Sequence, residues 1–131
     1  MKQIEVQTQT RQEFREITDS VHAVVHASGI AEGVCLLFCP HTTAGLTLNE
    51  NWDPTVRHDL RLVFTDLVPH RPDFRHAEGN SPAHAQATLV GNSLFVFVRN
   101  GQLVLGSWQG IFLAEFDGPR RRRVLIEVIP T

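Results

Sequence analysis

Gly33-Val34-Cys35-Leu36-Leu37-Phe38-Cys39-Pro40-His41-Thr42-Thr43-Ala44-Gly45-Leu46-Thr47-Leu48-Asn49 changes its hydropathy pattern at a proline. Before Pro40 the run is apolar at every position, which predicts a strand covered on both faces. After it the residues alternate. Ala44, Leu46 and Leu48 point one way, and His41, Thr43, Thr47 and Asn49 the other. Two strands joined at a proline, one covered on both sides and one two-faced, predict a sheet with a lined cavity beside it. A polar strand face that simply meets water is the alternative.

The flanking segments extend this pattern. Lys2 to Thr8 alternates Ile4 and Val6 with polar residues and reads as a first strand. Thr10-x-x-Glu13 has capping-box spacing, predicting a helix with Phe14, Ile17, Val21, Val24 and Val25 on one face and Gly29 as its stop. Asp53-Pro54 places Asp at an N-cap and Pro at the first helical position. Val56, Leu60, Val63, Phe64 and Leu67 then form a buried stripe. A proline- and charge-rich loop, Val68 to Arg75, leads to a third helix opening at Asn80 or Ser81 and stopping at Gly91. Asn100-Gly101 is a hairpin signal between Leu94–Val98 and Gln102–Leu105. Asp117-Gly118-Pro119 is a turn between Ser107–Phe116 and Val124–Ile129. About seven strands, mostly in hairpins, with about three helices give an α+β fold with a mainly antiparallel sheet.

Composition bounds the rest. At 131 residues, 42% hydrophobic and 20% charged, residues 1–131 form one domain. A formal net charge of −2 gives no electrostatic case for a non-specific nucleic-acid or membrane partner. No apolar run approaches the ~18 residues of a membrane span. Met1-Lys2-Gln3-Ile4-Glu5 lacks an apolar signal core, so a cytoplasmic location is expected. Cys35 and Cys39 stand about 13 Å apart along a strand, beyond disulfide reach, and are expected as buried free thiols.

The densest chemistry lies in His76-Ala77-Glu78-Gly79-Asn80-Ser81-Pro82-Ala83-His84. His76 and His84 bracket a loop-to-helix junction, and His41 is the natural third imidazole. Three histidines with an open position resemble a catalytic zinc-type site, although the spacing matches no standard motif. Hydrogen-bonded structural histidines and metal-free proton transfer are the other readings. Glu78 and Asp59 are the candidate carboxylates, as a general base or as orienters of an imidazole. Asn80 and Ser81 at a helix start offer free N–H groups to an anion. Arg120 to Arg123 is either a solvated strand entrance or a phosphate grip. Trp108-Gln109 could stack a flat ring, although a core Trp is the commoner outcome. His22 and His26 have helical metal spacing but fall away from the apolar stripe with no acid nearby, which reads as a solvated face.

With these residues in view, the sequence resembles the YjbQ-like family, described as secondary thiamine-phosphate synthase enzymes. The resemblance runs through His41-Thr42-Thr43-Ala44-Gly45-Leu46-Thr47-Leu48-Asn49-Glu50-Asn51 and Trp52-Asp53-Pro54-Thr55-Val56-Arg57-His58-Asp59-Leu60. It resumes at His76-x-Glu78-Gly79-Asn80-Ser81-x-x-His84, at Gly106-Ser107-Trp108-Gln109-Gly110-Ile111 and at Glu115-Phe116-Asp117-Gly118-Pro119-Arg120. It therefore covers nearly the whole chain in matching order, as a single YjbQ-like domain. It implies a compact α+β fold, a homotrimer with its pocket near subunit contacts, and a divalent metal at the histidines. It also implies a weak thiamine-phosphate-forming activity that joins a pyrimidine pyrophosphate to a thiazole phosphate with loss of pyrophosphate. The imidazole-rich cluster suits Zn²⁺ better than Mg²⁺, which prefers oxygen ligands.

The resulting expectation is a metal-dependent enzyme acting on a phosphorylated small molecule. His41, His76 and His84 hold the metal, and Glu78, Asp59 and the adjacent His58 handle protons. Thr43, Asn49, Asn80, Ser81, Trp108, Gln109 and Arg120 bind substrate or its anionic groups. The alternatives are a non-catalytic small-molecule or metal-binding homotrimer, and a polar cluster that merely builds the trimer interface.

Overall fold

The computed structural model describes residues 1–131. In chain order it has β1 (Lys2–Gln7), β2 (Glu13–Glu16), α1 (Thr18–Ser28), β3 (Gly33–Phe38), β4 (Ala44–Glu50), α2 (Pro54–Leu67), α3 (Ser81–Val90), β5 (Ser93–Arg99), β6 (Gln102–Leu103), β7 (Gln109–Glu115) and β8 (Arg121–Pro130). The α+β class holds. The strands number eight rather than seven and divide into two antiparallel sheets, β1-β8-β3-β5-β6 and β2-β7-β4. The change at Pro40 is the point where the chain leaves the large sheet for the small one.

The inner face of the large sheet, with Cys35, Leu37, Val96, Val98, Val124 and Ile126, packs on Ala44, Leu46, Ile111 and Leu113 of the small sheet. Ile17, Val21 and Val25, at and along α1, join the same core. A second cluster, Ala83, Ala87, Ala114 and Phe116, seats α3 on the other face of the small sheet, with Phe14 and Phe64 packed against it. β7 is therefore buried from Gly110 to Glu115, which makes it the innermost strand.

Several helix ends agree with the sequence reading. Asp53 accepts at Oδ1 from the Thr55 N–H, 3.0 Å, and Pro54 opens α2. Gly29 closes α1 with φ 70°. Asn100 and Gly101 both take positive φ, 53° and 70°, in the β5–β6 turn, as a two-residue hairpin of right-handed twist requires.

Three expectations are corrected. The Thr10–Glu13 box forms only its Glu13 half, the Gln9 and Thr10 N–H groups both reaching Glu13 Oε2 at 2.8 Å, and the chain then enters β2 rather than a helix. Phe14 lies in that strand, and α1 begins only at Thr18, because pairing with β7 satisfies the backbone of residues 13–16. β3 is covered on one face only. Leu36 and Phe38 are exposed on the other, beside Phe95 and Phe97 of β5. The stripe on α2 is likewise not sunk: Val63 and Leu67 are exposed and no α2 residue is fully buried. In both cases part of the apolar pattern stays exposed.

Candidate functional site

The connection from β3 to β4 carries His41, and α3 packs across β4, so the histidines of two distant segments approach each other. His41 and His84 line one cavity of about 290 Å³, together with Thr42, Ala44, Ala87, Thr88 and Asn92. His76, in the loop before α3, stands edge to face with His84, ring centroids 5.3 Å apart. The Glu78 carboxylate lies 4.0 Å from His76 Nε2 and is mostly exposed.

Each imidazole has a different environment. His41 accepts the Arg123 backbone N–H at Nε2, 3.0 Å, which requires a lone pair there and leaves the ring proton of the neutral form on Nδ1. Burial pushes its pKa below the ordinary histidine value, and the positive charges of Arg122 and Arg123 push the same way. His84 and His76 make no such bond. As donors to a divalent metal, His76 and His84 fit as a pair. His41 would have to give up its bond from Arg123 or ligate through Nδ1. No group of three or more His, Cys, Asp or Glu side chains is gathered for an ion within one chain.

The helix start behaves as a hub. Asn80 caps α3 by position, its backbone oxygen accepting from Ala83 and His84. Its Nδ2 donates to Asp117 Oδ2 at 2.8 Å, and the same oxygen accepts from Arg120 Nη2 at 3.1 Å. Asn80 Oδ1, buried, has no partner. A buried carbonyl oxygen left without a donor is costly. Arg120 is thus bound to Asp117, at Oδ2 and at its backbone carbonyl, rather than free.

The arginine run takes a different meaning once folded. Arg122 is 3% exposed and Glu115 0%, and they form an ion pair between the two sheets. Arg122 Nη2 also donates to Thr43 Oγ1 at 2.7 Å, so Thr43 is committed to the interior. Sequence reasoning missed Glu115, Arg122 and Thr8, whose Oγ1 donates to Glu115 Oε1 at 2.8 Å. A carboxylate one residue beyond an apolar strand interior, with arginines across the next turn, was the available signal.

Other expected site residues lie elsewhere. β4 pairs with β7 from Ala44↔Glu115 to Glu50↔Gln109, a span of about 20 Å. The histidines sit at the Ala44 end, and Asn49, Trp108 and Gln109 at the other. Trp108 is not a core residue: it is 57% exposed and meets Trp52, 75% exposed, edge to face at 5.8 Å. Gln109 Oε1 closes its own turn onto the Gly106 N–H at 2.8 Å, and Asn49 Oδ1 accepts the Glu50 N–H at 2.7 Å. On α2, His58 Nδ1 and Asp59 Oδ1 pair at 3.0 Å, exposed and outside the histidine cavity. Cys35 and Cys39 are buried free thiols, and burial pushes the Cys35 thiol up to about 11.

Two antiparallel sheets back to back, with a histidine cavity where α3 crosses the small sheet, define a small α+β domain with a polar pocket at the β3–β4 junction. The chain belongs to the UPF0047 protein YjbQ-like family, whose model matches residues 2–131. UPF0047 protein YugU of Bacillus subtilis is 46% identical over 131 residues, covering 98% of each chain. A UPF0047 protein of Methanocaldococcus jannaschii is 43% identical over 95% of this chain and 91% of its own. The crystal structure of a YjbQ/UPF0047-family protein from Clostridium acetobutylicum superposes with a TM-score of 0.95 at 43% identity, over 98% of this chain and 100% of that one. No helix is long and apolar enough to cross a membrane.

Proposed function

We propose that this protein acts on a phosphorylated small molecule at the His41–His84 cavity, with thiamine-phosphate formation as a weak activity. The observation that carries the reading is the meeting of His41 and His84 on one cavity, with the His76 ring edge to face with that of His84. Imidazoles brought together from two distant segments around one hollow suit ion binding and proton transfer.

In this reading His76 and His84 would hold a divalent ion, Zn²⁺ in preference to Mg²⁺. That ion would supply positive charge where the oxygens of a departing pyrophosphate gather. Glu78, beside His76, orients that ring. His41, neutral with its Nδ1 proton available, donates to a substrate oxygen. At the start of α3 the Ala83 and His84 N–H groups are spent on the Asn80 backbone oxygen and Pro82 has none, so the Ser81 N–H is the one left for an anion. His58 and Asp59, paired on the exposed face of α2, and Trp108 with its neighbours, about 20 Å along β4, join this site only through a neighbouring subunit.

The exposed apolar face supports assembly into a homotrimer. Leu36, Phe38, Phe95 and Phe97 are side by side on the large sheet, and a cavity of about 580 Å³ there is lined by seven hydrophobic residues. Such faces mark contacts with other chains.

Elemental analysis with a turnover assay on the pyrimidine pyrophosphate and thiazole phosphate pair tests the reading. Wild-type protein should carry one ion per chain and turn over, and His84→Ala should lose both while staying folded. Metal content unchanged in His84→Ala removes the metal assignment. Bound metal with no turnover on any phosphate substrate favours the non-catalytic binding trimer.

A further inference from the structure

A second cavity lies across α3 from the histidines. Its volume is about 430 Å³, and it is lined by Thr10, Arg11 and Gln12 of the β1–β2 connection, Arg61 and Thr65 of α2, Val68, Pro69 and His70 of the loop after it, and Pro82 and Gln86 of α3. Pro82 and Gln86 are one helical turn apart, as are His84 and Thr88. The two pairs, offset by two residues, fall on opposite sides of the helix. The cavity is therefore separate from the one that holds His41 and His84.

Its charge sets it apart. The chain carries more acids than bases, 14 against 12, and six of its arginines, Arg15, Arg71, Arg99, Arg120, Arg121 and Arg122, are each within salt-bridge distance of a carboxylate. Arg11 and Arg61, like Arg57, Arg75 and Arg123, have no such partner, and these two line one cavity whose wall holds no Asp or Glu. The acid nearest Arg11 along the chain, Glu13, already accepts from the Gln9 and Thr10 N–H groups and lies 3.6 Å from Arg15, and Asp59, two residues from Arg61, pairs with His58. Thr65 Oγ1 bonds both the Gln12 side-chain amide and the Arg61 backbone oxygen, which ties the floor of the hollow together. Two guanidinium groups and an imidazole around one hollow make a receptor for oxyanions. The hollow has the size of a small-molecule site, and Val68, Pro69 and Pro82 give it apolar wall.

We infer that this cavity binds a small organic phosphate or diphosphate, its phosphoryl oxygens held by Arg11 and Arg61 and assisted by His70. It is a second anion site, behind the helix that presents His84, and it does not depend on the chemistry proposed for the histidines. Because α3 forms a wall of both cavities, occupancy here bears on the position of His84.

The test is titration of pyrophosphate into the full chain, monitored by calorimetry and by ¹H–¹⁵N and histidine-ring chemical shifts. Wild type, R11Q/R61Q and H84A are compared. Arg11 and Arg61 are exposed, so glutamine there opens no core, and R61Q alone serves if the double variant unfolds. Wild type should bind, with shifts at His70 and the Gln86 side chain and affinity falling as salt rises. R11Q/R61Q should weaken that binding at least tenfold, and R61Q alone by several-fold, while H84A keeps the shifts at His70 and the Gln86 side chain. Equal affinity in wild type and the arginine variants would overturn the inference. So would shifts confined to His41 and His84, or no binding by wild type at millimolar pyrophosphate.

Discussion

Glu115 and Arg122 pair across the interior, Arg122 Nε donating to Glu115 Oε1 at 2.9 Å, one residue on each sheet. Both are essentially inaccessible to water, and their remaining valences go to Thr8, Thr43 and the Asp117 N–H. Removing one partner strands a buried charge, which costs about 3–5 kcal/mol. Glu115→Gln and Arg122→Met should each lower the unfolding free energy by roughly that amount. Glu115→Leu/Arg122→Met should recover part of it, as read from denaturant midpoints at constant m-value.

His41 links this network to the pocket. Its native pKa lies below the ordinary 6.5, with burial the largest cause and Arg122 and Arg123 adding to it. The unfolded chain therefore takes up its proton first as pH falls. The stabilisation from a neutral His41 is complete above about 6.5 and is lost as pH drops through the lower native value. An NMR titration should show the His41 ring titrating below the ordinary histidine value of 6.5, and His41→Gln should flatten the fall in stability in that window. A His41 ring titrating at or above that value would contradict the assignment.

Gly45 lets α3 approach β4. A Cβ there would collide with the Gly91 carbonyl oxygen and press on the Val90 side chain. Gly45→Ala should destabilise by about 1–3 kcal/mol, the usual cost of overpacking. Since α3 carries His84, the substitution should also shift the His84 ring resonances, while Gly29→Ala, where no atom is within reach of the added Cβ, should leave them in place.

Phe97 stands exposed on the large sheet beside Phe95, rings 5.4 Å apart. Phe97→Asp adds a charge to that face without entering the core. Light scattering should show a smaller assembly than wild type with the circular dichroism spectrum kept; an unchanged mass would remove this face from the subunit contact.

Cys35, with its thiol raised to about 11, should resist alkylation at pH 8 in the native protein and react once denatured. Rapid native modification would show that the core opens there.

The local signals were legible because they act through neighbouring residues. The Asp53-Pro54 cap, the Gly29 stop, the α3 start at Asn80-Ser81 and the Asn100-Gly101 turn each concern a few adjacent backbone groups, and each stands as read. The Thr10–Glu13 box shows the limit: its Glu13 half formed, yet long-range pairing with β7 decided that a strand would come next. The polar face of β4 is similar. Thr43 turns not to a cavity but to Arg122, a partner 79 residues away that no spacing rule announces.

By itself, then, the sequence determined the element types, most of their ends, the α+β class, the free thiols and the nearness of His76 to a helix start, all through local backbone preference and apolar period. Tertiary structure alone decided the division into two sheets, the burial of Glu115 with Arg122, and the meeting of His41 with His84. It also placed Trp108 and Gln109 at the far end of β4 and gathered Arg11 and Arg61 into one cavity. Those outcomes depend on which distant strands pair and on which charges lose water together, and such energies belong to the packed chain rather than to any segment of it.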